Sequence, residues 1–161
     1  MGNVFDHDLK IADRVGRKEL KPQLAKSRGN NAFSGEIIVL VDSNSASAAE
    51  LFARTMQLEL RGAVLGDQTS GSVMESRGYS YKQGIDTMFF YSFAVTDADL
   101  RMKDGKSLEH VGVTPDEVIL PTAEDLSAGR DPVLARAAEL VGLKLDPAEA
   151  GKLFPFEWPP I

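Results

Sequence analysis

The apolar run "IIVLV" at residues 37–41 constrains this chain most, because "DSNSASAAELFAR" follows it without a break. A short, continuous, β-branched run suits a strand buried on both faces of a parallel or mixed sheet. After it, Ala48, Leu51, Phe52, Thr55 and Met56 recur at helical spacing, with Glu50, Arg54, Gln57 and Glu59 on other faces. Gly62 reads as the stop of that helix, and "AVLG" at 63–66 as a second short strand. Strand, helix and strand in that order imply a right-handed crossover, so the fold class is α/β.

The chain has 161 residues, 43% of them hydrophobic, which suffices for the core of one globular unit. A net charge of −6 disfavours a nucleic-acid partner, since phosphate backbones attract basic surfaces. Without cysteine there is neither a disulfide framework nor a thiolate zinc site. Asp97, Asp99 and Asp104 fit no calcium loop and read as a solvated cluster, so neither metal nor cofactor is expected. No apolar run is long enough to span a bilayer, and "MGNVFDHDLK" has neither a signal-peptide core nor, with Asp6 at its sixth position, a myristoylation pattern.

Three regions follow from patterning. Residues 1–35 are polar, basic and rich in turn formers, and read as a connecting arm. Residues 36–145 carry the core. Within them "YSYKQG" and "DTMFFYSFAVTD" read as strands around a Gly84 turn, Asp104-Gly105 as a tight turn, and 118–120 as a short strand. "RDPVLARAAELVG" reads as a helix with Asp131 capping, Pro132 at its first position and Gly142 beyond its end. Residues 146–161 read as a proline and aromatic tail, whose end "FPFEWPPI" is too proline-rich for regular structure and packs its aromatics on a neighbouring surface.

Ser45 and Ser47 stand where a strand hands over to a helix, beside free N–H groups at the positive end of the helix dipole. One reading makes Ser43, Asn44 or Ser45 a simple helix cap. The other presents a nucleophile next to backbone donors that stabilise the oxyanion of acyl transfer. Local sequence leaves both open.

Over residues 36–121 the chain resembles the serine proteases of peptidase family S41, both the tail-specific, C-terminal processing branch and the tricorn core branch. The resemblance rests on "VLVDSNSASAAELFARTMQLELRGAVLGDQTSG", with its S-A-S-A-x-E run and G-[ED]-x-T-x-G segment, and on the closing "EHVGVTPDEVILP". It implies a ClpP/crotonase-like catalytic core, here an incomplete portion of one. It implies Ser47 as nucleophile, the Ala48 N–H as oxyanion donor, Ser45 as supporting cap and Glu50 as a first-turn dipole partner. Gly71 and Ser72 would belong to the substrate loop.

At Ser72 the tail-specific branch carries the lysine general base, and a serine cannot replace it at neutral pH. Lys82, Lys103 and Lys106 sit in turn-like polar contexts. The tricorn-like branch uses a histidine, assisted by a glutamate that Glu109 matches. His7 lies in the polar arm. His110 neighbours Glu109, but on extended backbone the two would point to opposite faces. Asp116 reads as a turn residue after Pro115. The resemblance therefore implies a serine endopeptidase acting on polypeptides, with its base supplied by a segment upstream of this chain. The other reading is a non-catalytic binding or scaffold domain of the same fold. Self-association through core surface left exposed is expected, and the resemblance implies a bacterial periplasmic or secreted parent.

Overall fold

The computed structural model describes residues 1–155. In chain order the elements are β1 (Leu9–Gly16), β2 (Gln23–Ala25), β3 (Ile38–Val41), α1 (Ala48–Leu58), β4 (Ala63–Gly66), β5 (Glu75–Gln83), β6 (Phe89–Met102), β7 (Glu117–Val118), α2 (Ala123–Ser127), α3 (Pro132–Leu140) and α4 (Pro147–Leu153). The predicted strand, helix and strand form β3, α1 and β4. β3 and β4 pair in parallel, Ile38 opposite Ala63 and Val41 opposite Gly66, as a crossover connection requires. β7 adds to the far edge of β4, also in parallel.

A second sheet is antiparallel, in the order β2-β1-β6-β5. The two sheets share one core. Ile11, Ala12, Leu100 and Met102 from the antiparallel sheet meet Val41 and Val64 from the parallel one, with Leu51 and Ala53 of α1 and Val73, Leu108 and Val113 from the loops. Burying such side chains contributes about 1.5–3 kcal/mol each for the larger ones, which holds the sheets to α1 as one body.

Three expectations change and one is extended. Residues 1–35 are not a loose arm: β1 pairs with β6 from Ala12–Met102 to Gly16–Ala98, and Phe5, Leu9, Ile11 and Ala12 are buried. A register irregularity between Lys10 and Ala12 buries both Ile11 and Ala12, which breaks the alternation and hides the strand in the sequence. β3 is not covered on both faces. It is an edge strand of a three-stranded sheet, and Leu40 stays 41% exposed.

Gly62 is not the stop of α1. The helix closes earlier in a Schellman arrangement, Leu60 N–H to the Gln57 carbonyl (3.1 Å) and Arg61 N–H to that of Met56 (2.9 Å). Leu60 takes the left-handed conformation (φ 51°) that glycine usually supplies. Finally, the tail at 146–161 begins with a helix, α4, ahead of its proline-rich end. Asp146 caps α4 by accepting from Ala148 N–H at 2.8 Å, and Ala150 is fully buried. Its Asp-Pro start is the same signature that marks α3, where Asp131 accepts from Leu134 N–H at 2.9 Å. Phe154 is 76% exposed, and the remainder of the expected aromatic tail, residues 156–161, lies outside the described residues.

Gly66, at the end of β4, turns the chain into the 67–72 loop with φ 126°. A Cβ there would lie 1.9 Å from the Val41 carbonyl oxygen, which accepts the Asp67 N–H at 3.0 Å. Gly66→Ala is therefore expected to lower unfolding stability by roughly 3 kcal/mol, through backbone strain and displacement of β3. A urea midpoint unchanged from wild type would contradict this.

Candidate active site

Ser47 is the N-cap residue of α1, and its backbone (φ 56°, ψ −118°) lies outside the regions a serine normally occupies. Such a conformation costs about 1–3 kcal/mol and persists only where the surroundings enforce it. Here they do. The Ser47 N–H donates to the Ser72 carbonyl and to Glu50 Oε2, each at 2.9 Å. The residue is exposed, and no side chain among the described residues hydrogen-bonds its hydroxyl. Ala48 follows at the first helical position, also exposed, and its N–H donates to none of the described residues. The Ser47 hydroxyl, whose oxygen faces the Glu50 N–H in a capping box and which donates to none of the described residues, thus stands beside a free amide at a helix N-terminus.

Ser45 does not cap α1. Its hydroxyl donates to Asp42 Oδ1 (2.9 Å) and accepts from the Asp42 N–H (3.1 Å), closing the turn that brings β3 to the helix. Glu50 is the acidic residue of the first turn of α1, as expected of a dipole partner, and it is held more tightly than that role requires. It is fully buried, and its carboxylate accepts four hydrogen bonds: Thr69 Oγ1 (2.5 Å) and Gly71 N–H (2.7 Å) on Oε1, Ser72 N–H (3.1 Å) and Ser47 N–H (2.9 Å) on Oε2. The sequence carried a signal for this in the S-x-x-E spacing from Ser47, a capping-box pattern whose glutamate reaches back to the N-cap amide.

The next two amides of the same loop belong to Glu109. Its Oε2 accepts the N–H groups of Val73 (2.7 Å) and Met74 (3.0 Å). The Val73 N–H, with the smaller help of Met74, holds the Glu109 carboxyl below its ordinary range against partial desolvation. Four successive amides, 71 to 74, are thus shared between two carboxylates. Gly71 takes the left-handed conformation (φ 71°), and its carbonyl accepts the His110 N–H at 2.8 Å, which fastens the Glu109 segment to the loop.

Ser47, Ala48, Leu51, Val73 and Met74 line one cleft of about 560 Å³, with Arg14 on its wall. Arg14 grips Glu75 in a two-pronged ion pair, Nε to Oε2 at 2.6 Å. Neither residue stood out in the sequence, since their pairing depends on strands 61 residues apart.

The other singled-out groups lie elsewhere or serve the frame. His7 pairs with Asp6 at 2.8 Å and stands edge-on to Phe5. His110 has a left-handed backbone (φ 59°), so the extended-strand rule does not govern it; its ring comes within 3.8 Å of Glu109 Oε1 yet is 90% exposed. Lys103 pairs with Glu59, and Lys82 sits on an exposed part of β5. Ser72 Oγ accepts from Ser70 Oγ at 3.2 Å. Asp116 accepts from the Val64 N–H (2.8 Å) and from Gln57 Nε2 (2.9 Å), binding the closing segment to β4 and α1. Asp97, Asp99 and Asp104 are each within reach of an arginine: Arg77, Arg101 and Arg54.

The family model for peptidase family S41 matches residues 2–119. The chain belongs to peptidase family S41. The match takes in the segment whose polarity suggested a connector. Solved structures agree in fold. A Parabacteroides merdae protein proposed to be a peptidase aligns over 87% of this S41 chain and 45% of its own, at TM-score 0.66 and 19% identity. The tricorn protease aligns over 80% and 12% respectively (TM-score 0.56, 23% identity). The photosystem II D1 C-terminal processing protease does so over 73% and 28% (TM-score 0.54, 21% identity). This chain spans less than half the length of each of these relatives.

Two outcomes follow for the carboxylates. Glu50→Ala would leave the Gly71 and Ser72 amides and the Thr69 hydroxyl without their acceptor, and is expected to cost about 3 kcal/mol in chemical denaturation. Glu109 has a folded-state pKa below its unfolded one. Its contribution is therefore complete above the ordinary value of 4.5 and lost as pH falls through the lower folded value. Glu109→Gln should flatten that part of the stability curve between about pH 6 and 3, with the two curves converging at the acid end.

Proposed function

We propose that this chain carries the nucleophile side of an S41-type serine endopeptidase. The observation that supports this most is Ser47 itself: a serine forced into strained backbone, its hydroxyl donating to none of the described residues, next to the unpaired Ala48 amide. In this reading Ser47 Oγ attacks the scissile carbonyl of a polypeptide while a base takes its proton. The tetrahedral oxyanion accepts from Ala48 N–H at the positive end of α1. Collapse expels the amine, which receives that proton, and water then hydrolyses the acyl-enzyme with the base acting again.

The base is a histidine supplied by polypeptide outside this chain. Among the described residues no histidine or lysine hydrogen-bonds Ser47, while Glu109 Oε2 is committed to the loop and its Oε1 has no hydrogen-bond partner. That oxygen is suited to orient an incoming imidazole. Gly71 and Ser72 would face the substrate from the loop that Glu50 holds. A non-catalytic scaffold is the second reading, favoured by Ser72 and Ser70, which place a hydroxyl pair where an S41 lysine would be expected.

Covalent labelling with a fluorophosphonate probe, read by mass spectrometry, separates the two. A version extended upstream to include a histidine-bearing segment should label at Ser47, and Ser47→Ala should lose labelling by at least ~10³-fold. The chain without that segment should label far more slowly. If the extended version is as inert as Ser47→Ala, the scaffold reading replaces the peptidase one.

A further inference from the structure

β5 and β6 leave the body of the protein together as a two-stranded ribbon, registered from Ser76–Thr96 to Gln83–Phe89. That register sorts its side chains. One face carries Tyr79, Tyr81, Phe89, Tyr91, Phe93 and Val95; the other carries Gly78, Ser80, Lys82, Ser92 and Ala94, with Phe90 opposite Lys82 as its single aromatic. On the first face Tyr79 stacks on Phe93 (ring centroids 5.4 Å apart), and Tyr81 on both Tyr91 (5.5 Å) and Phe93 (5.7 Å). Alternation of this kind belongs to a ribbon with one buried face. Within the chain that face is uncovered: its six apolar side chains are between 38% and 65% exposed. A two-stranded ribbon is marginal alone in water, and an apolar patch this large marks an interaction surface.

We infer that a second copy of this chain covers the aromatic face, the two ribbons stacking face to face about a two-fold axis. Area supports a protein occupant of this kind. At about 200 Å² per ring, the exposed fractions leave on the order of 600 Å² open per copy. A stable interface takes roughly 800 Å² from each partner, and Ile85 (96% exposed) and Met88 (43%) at the tip extend the patch towards that. Charge supports a copy. Each chain carries −6, yet the aromatic face carries no net charge: the Arg77 and Asp97 at its base pair with each other at 3.6 Å. Two copies can therefore meet there without mutual repulsion, and a single uncharged face is self-complementary as two-fold symmetry demands. An anionic membrane surface is the poorer fit, because Lys82 points to the opposite face. The pairing does not rest on the peptidase reading, although β5 begins at Glu75 in the Ser47 cleft, so a dimer would also steady that wall.

Sedimentation velocity at about 50 μM should show a dimer that dissociates on dilution. Tyr81→Glu, placing like charges opposite each other, should weaken it at least tenfold, while Ser80→Glu on the other face should not. The absence of native cysteine gives a second readout independent of tolerance to a buried charge. Tyr91→Cys should be joined to its twin by a bismaleimide of about 10 Å span, the spacing of packed sheets, and Ser92→Cys should not. A monomer throughout this range, equal cross-linking from both faces, or a monomer that instead sediments with phosphatidylglycerol vesicles would overturn the inference.

Discussion

The site hangs on a carboxylate buried without a cation. Taking a carboxylate out of water costs several kcal/mol, and with no cation paired to it among the described residues Glu50 relies on hydrogen bonds and the positive end of α1. Four are made, from Thr69, Gly71, Ser72 and Ser47. Because each donor comes from the 69–72 loop or the N-cap of α1, loop and helix start cannot move apart without stranding the charge. Thr69 carries the constraint one step further, accepting the Val113 N–H at 2.6 Å and so tying in the closing segment.

Glu109 extends the same logic along the chain. A loop of successive amides near the core needs acceptors, and no strand partner provides them at 71–74. Glu50 supplies the first two and Glu109 the next two, reaching the loop from opposite sides. The left-handed turn at Gly71 lets neighbouring N–H groups converge on one carboxylate in the manner of an anion nest. Glu109 therefore shapes the cleft wall whether or not it also orients a base. Loss of activity on its substitution would not by itself separate those roles; the pH dependence of stability isolates the first.

Much of this was legible in the sequence where local chemistry decides the outcome. The parallel β3–α1–β4 unit, the ribbon turn at Gly84 and the Asp131-Pro132 helix start each follow from a few neighbouring residues. The family could be read from ordered motifs. What stayed hidden depends on distant pairings. β1 is visible as a strand only once β6 lies beside it, and the burial of Glu50 only once the 69–72 loop folds over α1. Polarity misleads in both places, because a charged residue suggests exposure. The half-covered β3 is the converse case, an apolar run that reads as buried although its sheet ends there.

The choice between cap and nucleophile at Ser47 can be taken one step beyond local sequence by comparing the helix starts of the same molecule. Thr122, Asp131 and Asp146 cap α2, α3 and α4 from ordinary extended backbone, with φ of −74°, −118° and −70°. Each uses its side-chain oxygen to accept from the following turn. Ser47 alone among these four caps has a positive φ. Capping thus requires no strain in this fold, and a serine serving only as a cap would relax to the conformation its counterparts adopt. The surroundings instead spend a buried carboxylate on keeping it displaced. The strain at Ser47 therefore goes beyond what capping needs elsewhere in this molecule, and it sets the side chain beside the unpaired Ala48 amide at the start of α1.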